Sequence, residues 1–238
     1  MNRKWFFLLV AALVLSGCKT NHLAEIQPQT YRMADTTVVA ADASIEKLIA
    51  PYKAQLDVEM NGVIGVAAET LDKRTPESLL GNWMCDLLYE QIEVYTGAEI
   101  DFASVNYGGI RIPTIQKGEI TKGKIFELMP FDNMIVVIYL DAATLRQFID
   151  KIAQDGGIPV SRQLRFEIKD RKPQNITIKG QPIQEDKIYK VGITDYVANG
   201  GDDCSFFVDK KQDNLGKLYR DAIIEYTLKQ TAQGKQIE

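Results

Sequence analysis

The chain of 238 residues contains one histidine, His22, near its N-terminus. Histidine is a common ligand of catalytic metal ions and the usual base that activates serine or cysteine nucleophiles. His22 follows Asn21 in a polar stretch and is remote in sequence from every candidate nucleophile. The sequence therefore predicts neither a two-metal hydrolytic centre nor a histidine-assisted nucleophile in this chain.

Cysteine is also scarce, with three residues in the whole chain. Cys85 falls in a strongly apolar helical pattern, so we expect a buried core thiol. Cys204 follows Asp202 and Asp203 in a predicted loop. A disulfide between Cys85 and Cys204 is compatible with a location outside the cytoplasm, but an unpaired Cys85 is the simpler interpretation.

The chain has no excess of positive charge, with 28 basic and 32 acidic side chains. Without Arg3 and Lys4 the balance is 26 against 32, a net charge of −6. The sequence also lacks a basic stripe with interleaved aromatic residues. Because binding to nucleic-acid polymers relies on many phosphate contacts by lysine and arginine, this class of partner is excluded.

The only long apolar run is Trp5–Leu15, which follows Arg3 and Lys4 and is too short to span a bilayer. It ends in Leu15-Ser16-Gly17-Cys18, which resembles a bacterial lipobox. The resemblance implies that Cys18 is lipidated and becomes the first residue of the mature protein. The alternative is an ordinary secretory signal with an incidental cysteine.

These features predict three regions: a lipoprotein signal peptide (1–18), a flexible tether (19–42) and one globular domain (43–238). The expected location is the bacterial cell envelope, with the acyl chains in a membrane leaflet and the domain in an aqueous space. Residue 19 is lysine. By the usual lipoprotein sorting rule, this residue favours the outer membrane, with periplasmic or surface exposure.

Apolar periodicity predicts a mixture of helices and strands within one domain. Helices are expected over 43–57, 76–95, 121–129, 142–155 and 214–231, and strands over 58–68, 100–105, 134–140, 163–169, 174–179 and 187–194. The continuous apolar run Met134–Leu140 indicates a strand buried on both faces. Asp141 is the expected N-cap of the following helix. The predicted fold class is α+β, a single mixed-sheet domain with flanking helices.

Four predicted loops carry side chains suited to ligand binding. They are Asn106–Arg111, Phe131–Asn133, Gly156-Gly157 and Tyr196–Asp202. Two aromatic residues on separate loops can enclose a flat ring, and amide and carboxylate groups can bind ring edges or sugar hydroxyls. Arg111 and Arg74 are candidates for phosphate oxygens because guanidinium groups match phosphate geometry.

Taken in order, four motifs resemble the C-terminal domain of the 5′-nucleotidase family. They are Leu80-Gly81-Asn82, Asn106–Arg111, Pro130–Asn133 and Gly200–Asp202. The resemblance covers about residues 59–230, nearly all of the predicted globular part. It implies an α+β domain that binds the nucleotide substrate.

The resemblance also implies roles for individual residues. Arg111 corresponds to an arginine that reaches the substrate, and Asp202 to a carboxylate on the ribose side. Phe131 and Tyr196 correspond to the two walls of a base sandwich, and Asn133 to the amide that binds the base edge. The full set implied to bind substrate is Arg111, Phe131, Asn133, Tyr196, Asp202, Asn106, Gly108, Gly109, Arg74 and Gly157.

Some positions match less closely. Either Gly156 or Gly157 corresponds to a residue that contacts the base through its backbone. Tyr107 replaces a glycine often found between the asparagine and the Gly-Gly pair, which raises the prospect of a crowded turn. Asp203-Cys204 stands where glycine and an aromatic residue are usual, so the resemblance does not predict the shape of that loop.

Members of the family cleave phosphate esters with a separate N-terminal metallophosphoesterase domain that binds two metal ions. About 40 residues precede the recognisable domain here, which are too few to supply that domain. The sequence therefore predicts the nucleotide-binding part of a split 5′-nucleotidase, without a cofactor of its own. A separate metallophosphoesterase chain would carry the divalent metals. The alternatives are a stand-alone lipoprotein that binds nucleotides or nucleosides, and a structural module that retains only the fold.

Overall fold

In the computed structural model, the residues described are Thr30 and residues 42–238. The predicted signal peptide, Cys18 and most of the predicted tether lie outside these residues. Nearly all of the described residues belong to one compact unit, Lys47–Glu238. No described helix has the length and apolar character needed to cross a membrane.

The described residues form six α-helices and ten β-strands, with two short 3-10 helices at Tyr107–Gly109 and Ser205–Phe207. The helices are α1 (Ala43–Met60), α2 (Leu79–Thr96), α3 (Lys122–Leu128), α4 (Ala142–Gln154), α5 (Asp195–Ala198) and α6 (Tyr219–Ala232). The strands are β1 (Val63–Ala67), β2 (Leu71–Asp72), β3 (Phe102–Ala103), β4 (Thr114–Ile115), β5 (Gly118–Thr121), β6 (Met134–Leu140), β7 (Leu164–Lys169), β8 (Lys172–Ile178), β9 (Tyr189–Thr194) and β10 (Gln212–Leu218).

A four-stranded sheet in the order β10-β6-β9-β3 forms the centre of the domain. The β10–β6 and β6–β9 pairs are antiparallel, whereas β9 and β3 are parallel, so the sheet is mixed as predicted. Side chains of β6 alternate between two hydrophobic clusters: Ile135 and Val137 join one, and Val136 and Ile138 join the other. This confirms that β6 is buried on both faces.

Helices cover the sheet on both sides. The first cluster takes in the apolar stripe of α2, including Trp83 and Leu88, together with Tyr219 of α6. The second cluster contains Phe148 and Ile152 of α4, packed with residues of the β7–β8 hairpin. The fold class is therefore the predicted α+β domain with flanking helices. By contrast, the large apolar residues of α1 from Ile45 to Val58 are exposed, and no residue of that helix is buried.

Several predicted helix ends are confirmed by their hydrogen bonds. Thr121 caps α3 by accepting from the Lys124 amide, and Asp141 caps α4 by accepting from the Thr144 amide at 2.7 Å. The prediction for α2 was wrong at its start, because Ser78 is the N-cap. Pro76 and Glu77 lie before the helix rather than in its first turn.

Other predicted boundaries differ from the structure. Residues 58–60, predicted as strand, continue α1 up to the turn at Gly62. Residues 214–218, predicted as the start of the last helix, form part of β10 and pair with β6. The short strands β2, β4 and β5 were not predicted. Cys85 and Cys204 are free and buried, so no disulfide joins them, and Cys85 is the expected core residue.

Candidate functional site

The candidate site lies at one edge of the central sheet because of the directions of three strands. β3 and β9 are parallel, so the loops after both strands leave the same edge. β6 is antiparallel to β9, and Ile135 pairs with Thr194, so the start of β6 lies beside the end of β9. The segments that contain Asn106, Asn133 and Tyr196 therefore converge.

A cavity of about 360 Å³ opens where these segments meet. Its lining contains eight of the ten residues predicted to bind substrate. They are Asn106, Gly108, Gly109, Arg111, Phe131, Asn133, Tyr196 and Asp202.

The other two predicted residues lie elsewhere. Gly157 lines a neighbouring cavity of about 300 Å³, which shares Asn106 and Asp202 with the first. Arg74 is in the lining of neither cavity, and its Nε lies 2.6 Å from the Asp72 carboxylate. Arg74 therefore forms an ion pair with Asp72 and does not line the cavity with the other predicted binding residues.

Asp202 connects the segment that contains Asn106 to the segment that contains Tyr196. Its Oδ2 accepts a hydrogen bond from Asn106 Nδ2 at 2.8 Å, and its Oδ1 accepts one from the Tyr196 hydroxyl at 3.0 Å. Asn106 is only 8% exposed, and its Oδ1 has no hydrogen-bond partner. The carboxylate is thus held in place, while its remaining lone pairs can accept hydrogen bonds from a ligand.

The two predicted stacking residues are unusually exposed for large aromatic side chains. Phe131 is 40% exposed and Tyr196 is 48% exposed, and both line the same cavity. The Arg111 guanidinium lies 5.5 Å from the centre of the Phe131 ring and donates to the Gly108 carbonyl at 3.3 Å. The cavity therefore combines aromatic faces with a permanent cation, which suits a flat ring that carries an anionic group.

The Gly-Gly turn forms a 3-10 helix, and neither Gly108 nor Gly109 has a positive φ. A Cβ at Gly109 would lie 2.8 Å from Asn106 Oδ1, so a larger residue there would displace the buried Asn106 amide. Tyr107 lines the neighbouring cavity, with Lys73 Nζ 4.0 Å from its ring centre. The substitution of tyrosine for glycine therefore does not fill the first cavity.

The loop after α5 forms a turn, although Asp203-Cys204 replaces the glycine and aromatic residue that are usual in the family. Asp202 and Asp203 have φ values of 50° and 60°, the left-handed region that glycine adopts most easily. Cys204 is buried beside the neighbouring cavity, and burial raises the pKa of its thiol to about 11. A thiol at this position is inert at neutral pH.

Two further residues shape the site and were not predicted. Asp195 Oδ1 accepts from the Met134 amide at 3.0 Å and from the Tyr196 amide at 2.9 Å, which connects the start of β6 to α5. In the sequence, only its position directly before Tyr196 could have identified Asp195 as part of the site. Lys73 Nζ donates to the Ile110 carbonyl at 2.7 Å. Burial, and then the nearby Arg111, lower the pKa of Lys73.

Within residues 42–238, no group of three or more His, Cys, Asp or Glu side chains is placed to hold a metal ion. The dinuclear centre that the family resemblance implies for phosphate-ester cleavage therefore does not fit the described residues. No chemical step through a metal ion is assigned to them.

The fold and the cavity define a mixed α+β domain with an open ligand pocket at a sheet edge. The family model described as 5′-nucleotidase, C-terminal domain, matches residues 63–209, and the chain belongs to this family.

Among curated relatives, Protein UshA of Escherichia coli K12 is 29% identical over 183 residues, covering 73% of this chain and 32% of UshA. An apyrase of Anopheles gambiae is 30% identical over 219 residues, covering 83% of this chain and 37% of that protein. The chain thus spans about a third of the length of these relatives.

Two solved structures share the fold. A 5′-nucleotidase precursor from Thermus thermophilus superimposes with a TM-score of 0.66 at 24% identity, covering 81% of this chain and 41% of that one. The NAD nucleotidase of Haemophilus influenzae gives a TM-score of 0.60 at 21% identity, covering 79% of this chain and 39% of that one.

Proposed function

We propose that this protein is the nucleotide-binding part of a split 5′-nucleotidase. The observation that carries the proposal is the convergence of eight predicted binding residues on one cavity. Phe131 and Tyr196 would enclose the base, since stacking on an aromatic side chain contributes about 1–3 kcal/mol per base. Both side chains are exposed enough to accept a ring.

The polar groups of the cavity complete this binding mode. Asn133 offers an amide to the edge of the base, and the Asp202 carboxylate offers acceptors to the ribose hydroxyls. Arg111 offers its guanidinium to phosphate oxygens. The hydrogen bonds from Asn106 and Tyr196 to Asp202 hold the carboxylate before any ligand arrives.

The proposal assigns hydrolysis to a second chain. A separate metallophosphoesterase would bring the divalent metals and the metal-bound nucleophile, and this chain would bring substrate affinity and specificity. Both would work in the cell envelope, where Cys18 would anchor this chain through lipid.

Titration calorimetry of the full-length protein with adenosine, AMP and UMP tests the binding step. We expect binding that Phe131→Ala weakens by about tenfold or more, because one face of the base is lost. AMP should bind more tightly than adenosine if Arg111 holds the phosphate. Tyr52→Ala is the matched control, since Tyr52 is a 73% exposed aromatic residue on α1. No heat at millimolar ligand would contradict the proposal.

A second candidate function is a stand-alone nucleotide- or nucleoside-binding lipoprotein. It requires only that Phe131, Tyr196, Asn133 and Asp202 share one cavity, as they do. Co-expression with an exported metallophosphoesterase separates the two functions. A split enzyme requires that the two chains associate and that the Phe131→Ala variant changes phosphate release. A partner that neither binds nor responds would favour the stand-alone function.

A further inference from the structure

The first two residues of α6 hold the segment that contains Phe131 and Asn133. Arg220 donates from Nη2 to Asp132 Oδ1 at 2.7 Å and from Nη1 to the Phe131 carbonyl at 3.2 Å. The Tyr219 amide donates to the Asn133 carbonyl at 2.9 Å. Three consecutive residues of the loop are therefore tied to one helix terminus.

Arg220 is buried, whereas the residue with which it pairs is exposed. Its side chain is 10% exposed, against 79% for Asp132. The guanidinium also lies 4.5 Å from the centre of the Phe126 ring, and its Nε is buried without a hydrogen-bond partner. A buried guanidinium that keeps these few polar contacts fixes their geometry, because losing one leaves a buried charge poorly compensated.

The loop has few other restraints. Residues 130–133 lie between α3 and β6 and form no regular secondary structure. The Asp132 side chain is 79% exposed, and Phe131 is 40% exposed, with the Arg111 guanidinium 5.5 Å from its ring centre. Among the hydrogen bonds of the segment, those from Arg220 to the Phe131 carbonyl and to the adjacent carboxylate fix the backbone that carries the Phe131 ring.

We propose that Arg220 is a positioning residue for nucleotide binding, acting through Asp132 and the Phe131 carbonyl. The inference rests on the proposed function and assigns a role to a residue that does not line the cavity. Arginine is required because its planar fork reaches a carboxylate and a carbonyl together, whereas a lysine ammonium provides no such fork.

The test compares the full-length protein with Arg220→Met, Arg220→Lys, Asp132→Asn and the double variant Arg220→Met/Asp132→Asn. Two readouts are needed: amide hydrogen exchange of the peptide that covers residues 130–134, and calorimetric titration with AMP. Arg146→Met is the matched control, since Arg146 pairs with Glu185 and does not line the cavity.

We expect Arg220→Met to speed exchange in this peptide and to weaken AMP binding by about tenfold, the size of a lost hydrogen bond to a charged group. Asp132→Asn should have a smaller effect in the same direction, and Arg220→Lys should restore only part of the affinity. The double variant should bind no more weakly than Arg220→Met, because both changes remove the same contact.

Unchanged exchange and AMP affinity within twofold of the wild type in Arg220→Met would overturn the inference. If Arg220→Met does not fold, Asp132→Asn decides, because its side chain is exposed and its replacement is compatible with folding. A wild-type protein that binds no AMP would refute the proposed function. Faster exchange in the variants would still show that Arg220 holds the loop.

Discussion

At the residue scale, Gly201 lies beneath Tyr196, one of the two aromatic residues of the cavity. A Cβ added there would lie 2.5 Å from the Tyr196 carbonyl oxygen and 2.6 Å from its ring. We expect Gly201→Ala to lower the free energy of unfolding by about 1–3 kcal/mol and to weaken AMP binding, because the backbone and ring must both move.

Urea unfolding and AMP titration check this expectation. Gly108→Ala is the matched control in the same cavity, since its Cβ would meet only Asn106 Nδ2, at 3.7 Å. That change should alter stability by no more than about 0.5 kcal/mol. If Gly201→Ala lowered the free energy of unfolding no more than Gly108→Ala does, the protein would relieve the crowding at Gly201 without a loss of stability.

Asp203 presents the opposite case, a side chain where glycine fits better. Its φ of 60° lies in the left-handed region, and it follows Asp202 in the same conformation. Asp203→Gly should raise the free energy of unfolding by up to about 1 kcal/mol, because glycine adopts this conformation without a steric penalty. Thermal unfolding measures the effect. Asp209→Gly, at a position without positive φ, should give no gain.

At the element scale, Asp141 determines where α4 begins. The hydrogen bond from the Thr144 amide and the nearby Lys210 lower the pKa of the Asp141 carboxyl to about 2. Because this pKa is lowered in the folded state, the ionised carboxylate stabilises the protein above about pH 4. That contribution is lost as pH falls through about 2. Asp141→Ala should cost about 1 kcal/mol near neutral pH.

Urea unfolding near pH 7 and near pH 3 measures the pH dependence of this cap. The gap between wild type and Asp141→Ala should shrink at the lower pH. Asp141→Ser retains a capping oxygen but loses the pair with Lys210, whose Nζ lies 2.9 Å from the carboxylate. Its stability should lie between the other two near pH 7. A gap that does not change with pH would contradict the assigned role of ionisation.

The elements that sequence reasoning located were those with local signals. Met134–Leu140 is a continuous apolar run, and Asp141 and Thr121 are capping residues next to helical patterns. Residues 214–218 were misassigned because their identity as strand depends on pairing with β6, far away in sequence. The same limit explains Arg220, which meets Phe131 and Asp132 at sequence separations of 89 and 88 residues.

The cavity was predictable for a different reason. Its side chains were identified from ordered motifs, and the structure shows that most of them share one lining. Arg74 lies outside this lining, in an ion pair with Asp72 that the motif spacing does not reveal. Asp195 was missed because its two amide donors become neighbours only when β6 and β9 pair.

At the scale of the whole molecule, one sheet separates two hydrophobic clusters that share its strands. Neighbouring residues of β6, Val137 and Ile138, belong to different clusters. Loss of order in one cluster therefore removes a wall of the other. We expect the domain to unfold in a single cooperative transition rather than in two steps.

Phe148→Ala tests this coupling, because Phe148 is 1% exposed and lies in the second cluster, whereas Trp83 lies in the first. Removing a buried phenylalanine side chain should cost about 3–5 kcal/mol. In a Trp5→Phe background, Trp83 fluorescence alone reports on the first cluster. We expect its urea midpoint to fall together with that of the far-ultraviolet circular dichroism. A Trp83 midpoint that stayed at the wild-type value while the dichroism shifted would show that the two clusters unfold independently.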